Sequence, residues 1–175
     1  RNPVFHPCSF IFNQKNMFTI TKNTDIAIIT MDAAGPVNSW GLQAVTELQK
    51  TLDTVLNDAE IKGAVFTSAK KDWFVGADLK EIMAADDIGG VMQMGRTLSN
   101  QFRRMETSGK MFVAAINGSA LGGGYELALA CHKRIALNNP QTRIGFPEVT
   151  IGLLPGAGGT QRFPRLIGIQ ASLPL

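Results

Sequence analysis

Histidine and cysteine are both scarce in this chain, two of each, and their positions rule out most chemistry built on them. Cys8 and Cys131 have no spacing suited to a metal, and one pair is no disulfide framework, which favours a reducing compartment. His6 lies in an atypical leader; His132 follows an apolar helical run and reads as a packing or hydrogen-bonding residue. Serine-hydrolase and zinc chemistry therefore lack partners, and no metal is expected. Charge is also sparse, at 18% of residues and a formal net of +3. Setting aside Arg1 and Lys15 leaves 15 basic against 14 acidic side chains, so the body is nearly neutral and offers nucleic acid no footprint. Lys70-Lys71 is read as a solvated loop. Nor does any apolar run approach the ~20 residues of a membrane span. No Gly-Lys-Ser/Thr follows a glycine run, which removes a Walker phosphate loop.

What is present is an ordinary apolar fraction of 45% in 175 residues, enough for one domain with a real core. Arg1 to Asn16 shows no sustained period and is expected to be a non-native or disordered leader, with the domain occupying Met17 to Leu175. Ile169 to Leu173 is expected to be a helix cut short, the domain being incomplete at its C-terminus.

Two strand-like runs from Phe18 to Met31 flank Lys22-Asn23-Thr24-Asp25 and predict a hairpin. Leu42, Val45, Leu48, Leu52, Val55 and Leu56 recur at helical steps, an amphipathic helix after the Gly35-Pro36 break. Lys62 to Thr67 predicts a buried strand, Ser68 to Gly76 a loop, and Asp78 to Ala84 a short helix. Val91, Met94, Leu98, Phe102 and Met105 predict a longer helix that Gly109 can end. A strand from Met111 to Ile116, a glycine turn, a helix from Glu126 and a short strand over Arg134 to Leu137 follow. Strands alternating with helices indicate α/β layering, and periodicity alone does not choose among α/β folds.

The most informative segment is Asn117 to Ala128, where a buried strand runs into Gly122-Gly123-Gly124 and then Glu126. Consecutive glycines allow unusual backbone angles and leave no Cβ to block a ligand. The first amides of the following helix lack intrahelical acceptors and add positive potential. Such a turn can hold the oxygen of a polarised carbonyl, with Glu126 beside it as acid or base. A second carboxylate, Glu148, follows Pro147, which fixes the direction of its loop. Taken singly, Glu126 reads as a helix-dipole charge and Glu148 as a surface acid. Gly156-Ala157-Gly158-Gly159 begins like a dinucleotide fingerprint, but Gln161 occupies its last glycine position.

Three motifs taken in order change that reading: Val75-Gly76-Ala77-Asp78-Leu79-Lys80, Gly122 to Glu126, and Phe146-Pro147-Glu148 followed by Pro155-Gly156-Ala157-Gly158-Gly159-Thr160-Gln161-Arg162. Over Met17 to Leu175 the chain resembles the crotonase (enoyl-CoA hydratase/isomerase) superfamily. The resemblance implies a spiral of ββα units with two roughly perpendicular sheets. It implies Glu126 and Glu148 as catalytic groups and the backbone amides of Ala77 and Gly123 as the oxyanion hole, with Asp78, Leu79 and Lys80 in the substrate-binding segment. Val75 is bulkier than the small residue usual there. Cys131 to Ala136 and Pro147 to Gly168 look like the hydratase part of multifunctional fatty-acid β-oxidation α-subunits, in which a 3-hydroxyacyl-CoA dehydrogenase follows.

The activity so implied is hydration of trans-2-enoyl-CoA, with no metal or organic cofactor beyond the CoA thioester substrate. The implied partners are further copies in a trimer-type homo-oligomer, or a thiolase subunit; the implied compartment is a bacterial cytoplasm or a mitochondrial matrix. Δ3-Δ2-enoyl-CoA isomerisation is the first alternative, needing one carboxylate to carry a proton. A non-catalytic RNA-binding relative is the second, and the near-neutral body argues against it.

Overall fold

The computed structural model describes residues 16–84 and 88–173. The leader residues before Asn16, with His6 and Cys8, and the last two residues lie outside this range. Strand β1 (Phe18–Asn23) and strand β2 (Ile26–Met31) form the expected antiparallel hairpin, Phe18 opposite Met31. Thr24 turns the chain with a positive φ of 55°.

Helix α1 (Leu42–Asn57) then crosses to strand β3 (Gly63–Ser68), parallel to β2. Its buried stripe is Ala44, Val45, Leu48, Thr51, Leu52 and Val55, whereas Leu42 is exposed. At 100° per residue Leu42 lies about 120° from the centre of that stripe, which is why the expected membership fails. Helix α2 (Leu79–Met83) and helix α3 (Ile88–Thr107) follow. Gly109 takes a left-handed φ of 77° after α3, as expected of a helix stop.

Strand β4 (Met111–Ile116) pairs with β3 in parallel, strand β5 is Ala120–Leu121, and helix α4 is Gly123–Ala130. Strand β6 (Lys133–Ala136) closes a five-stranded sheet of order β1-β2-β3-β4-β6, in which only the β1 pairing is antiparallel. Strand β7 (Ile144–Gly145) pairs with β5 in a two-stranded parallel sheet, and Phe74 bridges onto Ala120 at its other side. The chain ends in a 3-10 turn (Glu148–Ile151), helix α5 (Gly159–Ile167) and helix α6 (Ile169–Ser172). The fold is thus a mixed α/β arrangement of one largely parallel five-stranded sheet, a second two-stranded sheet and helices.

The core is aromatic. Trp40, Trp73, Phe66, Phe74, Phe102 and Phe112 are each under 2% exposed. Each such side chain contributes roughly 1.5–3 kcal/mol on burial. Trp40 lies against Phe74 at 4.4 Å and edge-on to Phe102 at 6.0 Å, tying the second sheet to α3. Lys70 is not simply a solvated loop residue: its Nζ lies 2.9 Å from Asp32 Oδ1 and anchors the loop after β3.

Candidate active site

The glycine turn is built by close approach. Helix α4 begins at Gly123 rather than at the expected Glu126, because packing overrides the poor helix propensity of glycine. A Cβ on Gly123 would sit 2.7 Å from Trp40 Cδ1, and one on Gly124 would sit 2.3 Å from the Phe74 carbonyl oxygen. Gly122 adopts φ 53°, ψ −127°, and a Cβ there would meet Glu148 Oε1 at 2.8 Å. Its amide donates to the Gly145 carbonyl at 2.9 Å, stitching the turn to β7. Glu126 therefore lies in the first turn of α4, a helix buried from Gly124 to Ala130.

Glu126 is 2% exposed, and its Oε1 accepts from the amides of Ala157 at 2.8 Å and Gly159 at 2.7 Å. The Ala157 amide comes from the glycine-rich loop before α5 and the Gly159 amide from the first residue of α5, so the third motif holds the second. Burial raises the proton affinity of Glu126; the amides of Gly159 and Ala157 oppose the rise, and the neighbouring Glu148 charge adds to it. Phe146 packs on Tyr125 at 5.1 Å and Phe163 at 5.7 Å, and this aromatic cluster anchors the turn that starts with Glu148. Burial also raises the Glu148 carboxyl above its ordinary value. Glu148 Oε2 is buried with no hydrogen-bond partner among the described residues. A buried, unpaired carboxylate oxygen is costly and is kept where chemistry uses it.

Both carboxylates line one small cavity of about 160 Å³, with Trp40, Ala77, Gly123 and Ala157. Its remaining walls are apolar: Ile82, Val91, Met94, Leu98, Leu153 and Leu154. Ala77 lies just before α2 and Gly123 opens α4, yet Trp40 connects them. The Trp40 amide donates to the Gly76 carbonyl at 2.8 Å and its carbonyl accepts from Asp78 at 2.7 Å. The Trp40 indole donates to the Gly123 carbonyl at 2.9 Å. Among the described residues, the Ala77 and Gly123 amides donate to no backbone acceptor. They are the right groups to receive charge developing on a ligand oxygen.

The remaining expected residues divide. Asp78, Leu79 and Lys80 do not line the carboxylate cavity; they line an adjoining groove of about 750 Å³ that shares Ala77 with it. The Asp78 carboxylate caps α2, accepting from Lys80 at 3.0 Å and Glu81 at 3.3 Å. Glu81 in turn accepts the amide of Leu42 at 2.9 Å, at the start of α1. His132 stands apart from the cavity, its Nδ1 accepting the Phe112 amide at 3.1 Å. The Cys131 thiol is pushed up to about 12 by burial, which makes it an inert core residue. Trp40 and the apolar wall were not legible as site residues. Trp40 is 83 residues from Gly123, and no local pattern announces such a contact.

Comparison with known proteins agrees with this architecture. The family model for enoyl-CoA hydratase/isomerase matches residues 21–173. The chain is 43% identical over 166 residues to the fatty acid oxidation complex subunit alpha of Shewanella halifaxensis, covering 93% of this chain and 23% of that protein. The corresponding subunit of Shewanella oneidensis is 42% identical over 161 residues, covering 90% and 23%. The structure of Pseudomonas aeruginosa DspI superposes with TM-score 0.82 at 34% identity, covering 94% of this chain and 62% of that one. An enoyl-CoA hydratase from Bacillus anthracis does so with TM-score 0.83 at 33% identity, covering 91% and 61%. The chain thus spans less than a quarter of the length of these curated relatives and about three-fifths of these solved chains. With Glu126 and Glu148 on one cavity and a family match over nearly its whole described length, the chain belongs to the enoyl-CoA hydratase/isomerase family.

Proposed function

We propose that this site hydrates trans-2-enoyl-CoA thioesters in fatty-acid β-oxidation. The observation that carries the reading is that Glu126, Glu148, Ala77 and Gly123 border one and the same apolar cavity. In the proposed reaction the thioester oxygen lies between the Ala77 and Gly123 amides. Glu126 takes a proton from water as its oxygen bonds to C3. The C2=C3 electrons move toward the carbonyl, and the resulting enolate is stabilised by the two amides, each worth roughly 2.7–4 kcal/mol in comparable holes. Glu148 then gives its proton to C2, and the product is a 3-hydroxyacyl-CoA. A raised proton affinity suits both roles, because it brings base and acid closer to the operating pH. Every step is a proton transfer or a charge stabilisation by protein groups, so the proposal calls for no cofactor.

The adjoining groove along Ala77, Asp78, Leu79 and Lys80 is proposed to take the CoA portion, with Lys80 offering a cation to its phosphates. The relatives named as subunits of a fatty acid oxidation complex support a role within a larger assembly, through a homo-oligomer or a thiolase subunit. Among the described residues no helix is long and apolar enough to cross a membrane. A cytoplasmic site of action, as in bacteria, is the proposed one. Isomerisation between Δ3 and Δ2 positions is the second reading, favoured by the unpaired Glu148 Oε2 as a proton carrier. The test is the loss of conjugated-thioester absorbance with crotonyl-CoA and longer enoyl-CoAs. Turnover supports the proposal; a folded protein that turns over none of them overturns it.

A further inference from the structure

Glu126 receives one amide from Ala157, in an irregular loop, and the other from Gly159, the first residue of α5, so something must hold that junction. Arg162, one turn into α5, does so from behind. Its Nη1 donates to the Ala157 carbonyl at 2.8 Å. Its Nε and Nη2 form a fork on Glu106 of α3, at 2.6 and 3.3 Å. The guanidinium also lies 5.8 Å from the centre of the Phe102 ring. Gly158 makes room for this: its φ is 104°, and a Cβ there would collide with Arg162 Nη1. The pair is largely shielded, the side chains of Arg162 and Glu106 being 14% and 24% exposed. A forked, shielded pair of this kind is stronger and better oriented than a surface ion pair.

From this connection we infer that Glu106 and Arg162 are a positioning pair, which fixes the Ala157–Gly159 amides and through them sets the Glu126 carboxylate as the reactive base. The inference rests on the proposed role of Glu126. Neither residue touches the cavity; both act through the Ala157 carbonyl. The electrostatics point the same way. Burial disfavours the Glu106 anion, yet the Arg162 and then the Arg103 guanidinium outweigh it and hold the carboxyl below its ordinary value. At Glu126, burial raises the proton affinity, and after the two amides the Arg162 charge pulls it back. The groups facing Glu126 are therefore the Ala157 and Gly159 amides, Arg162 and Glu148.

A shared sign, seen at Glu126 itself, distinguishes this role from mere structural support. R162Q removes a cation and loosens the amides, so the Glu126 titration moves to higher pH. E106Q removes the anchor that holds Arg162 against the Ala157 carbonyl, so the same titration also moves to higher pH, by less than in R162Q. Two readouts are needed: the acid limb of kcat/KM with crotonyl-CoA, and a carboxyl-carbon NMR titration of Glu126 without substrate. The expected result is upward displacement by both variants in both measurements. E106Q supplies the decisive sign even where R162Q does not fold. No displacement in E106Q, or a downward displacement in either variant, overturns the inference. The substrate-free titration stays decisive even if the parent turns over no enoyl-CoA, a result that sinks only the hydratase reading.

Discussion

Glu126 sits where two opposed influences meet. Burial disfavours its charge, and the amides of Gly159 and Ala157 restore part of what burial removes. Glu126→Gln is expected to lower hydration by about 10²–10⁴-fold, the usual worth of a positioned acid or base. Isomerisation is expected to survive in part, since it needs only the carrying carboxylate. Glu148→Gln is expected to lose both activities; parental isomerisation in that variant, measured on a 3-enoyl-CoA, would reverse the two roles. Because the Glu126 carboxyl is raised, the acid limb of kcat/KM should fall above the ordinary Glu value of about 4.3. The same shift fixes a sign for stability. Between the ordinary and the raised value the folded chain binds more protons at Glu126 than the unfolded chain does. Its contribution to stability is therefore complete below the ordinary value and is lost as pH rises through the raised one. Urea midpoints of Glu126→Gln relative to the parent should accordingly increase as pH rises above the ordinary Glu value of about 4.3. A relative midpoint that falls over this range contradicts the burial-dominated account.

Short elements do the positioning, and these were the hardest to read from sequence. The hairpin, α1, α3 and β4 follow from period and turn residues, and the three glycine- and glutamate-bearing motifs were legible in their order. Strands β5 and β7 are two residues each, too short for any alternation to register. Helix α4 starts on two glycines because Trp40 and Phe74 leave no room for a Cβ, a reason that lies entirely in tertiary contact. The Glu106–Arg162 fork spans 56 residues and was equally invisible. Two variants test the element scale. Trp40→Phe keeps a ring but deletes the indole donor to Gly123, and should cost about 1 kcal/mol of stability. Its kcat should fall on the order of tenfold through displacement of the proposed Ala77 and Gly123 oxyanion amides, with KM little changed. An unchanged kcat would make Trp40 a core residue only. Asp78→Ala removes the α2 cap and should destabilise by about 1 kcal/mol, with Asp78→Asn restoring most of it. If Asp78→Asn instead folds like the parent but loses CoA affinity, the Asp78 charge is a ligand contact.

Across the whole molecule the described surface is uneven. The aromatic core is closed around α4, yet Val149, Ile151, Leu154, Leu166, Ile167, Ile169 and Leu173 are all exposed, Leu154 by 79%. Scattered apolar side chains need no explanation, but this concentration after Glu148 marks surface that water does not favour. Homo-oligomer formation, proposed above, gives that surface one place to go, and the part of the solved relatives' length that this chain does not span is another. Fully burying one such side chain is worth roughly 1.5–3 kcal/mol, so two substitutions suffice to weaken association measurably. In sedimentation velocity the chain is expected to run as a species larger than one copy, shifting downward on dilution. The double variant Val149→Ser, Ile169→Ser avoids both carboxylates and should raise the dissociation constant by at least about tenfold, equivalent to 1.4 kcal/mol. Its helical circular dichroism should match the parent, because neither side chain belongs to the core. A parent that sediments as a single copy at every concentration would overturn the homo-oligomer, and a double variant that associates as tightly as the parent would move the contact to another face. The open edge of β6, with Ile135 67% exposed, would then be the surface to substitute next.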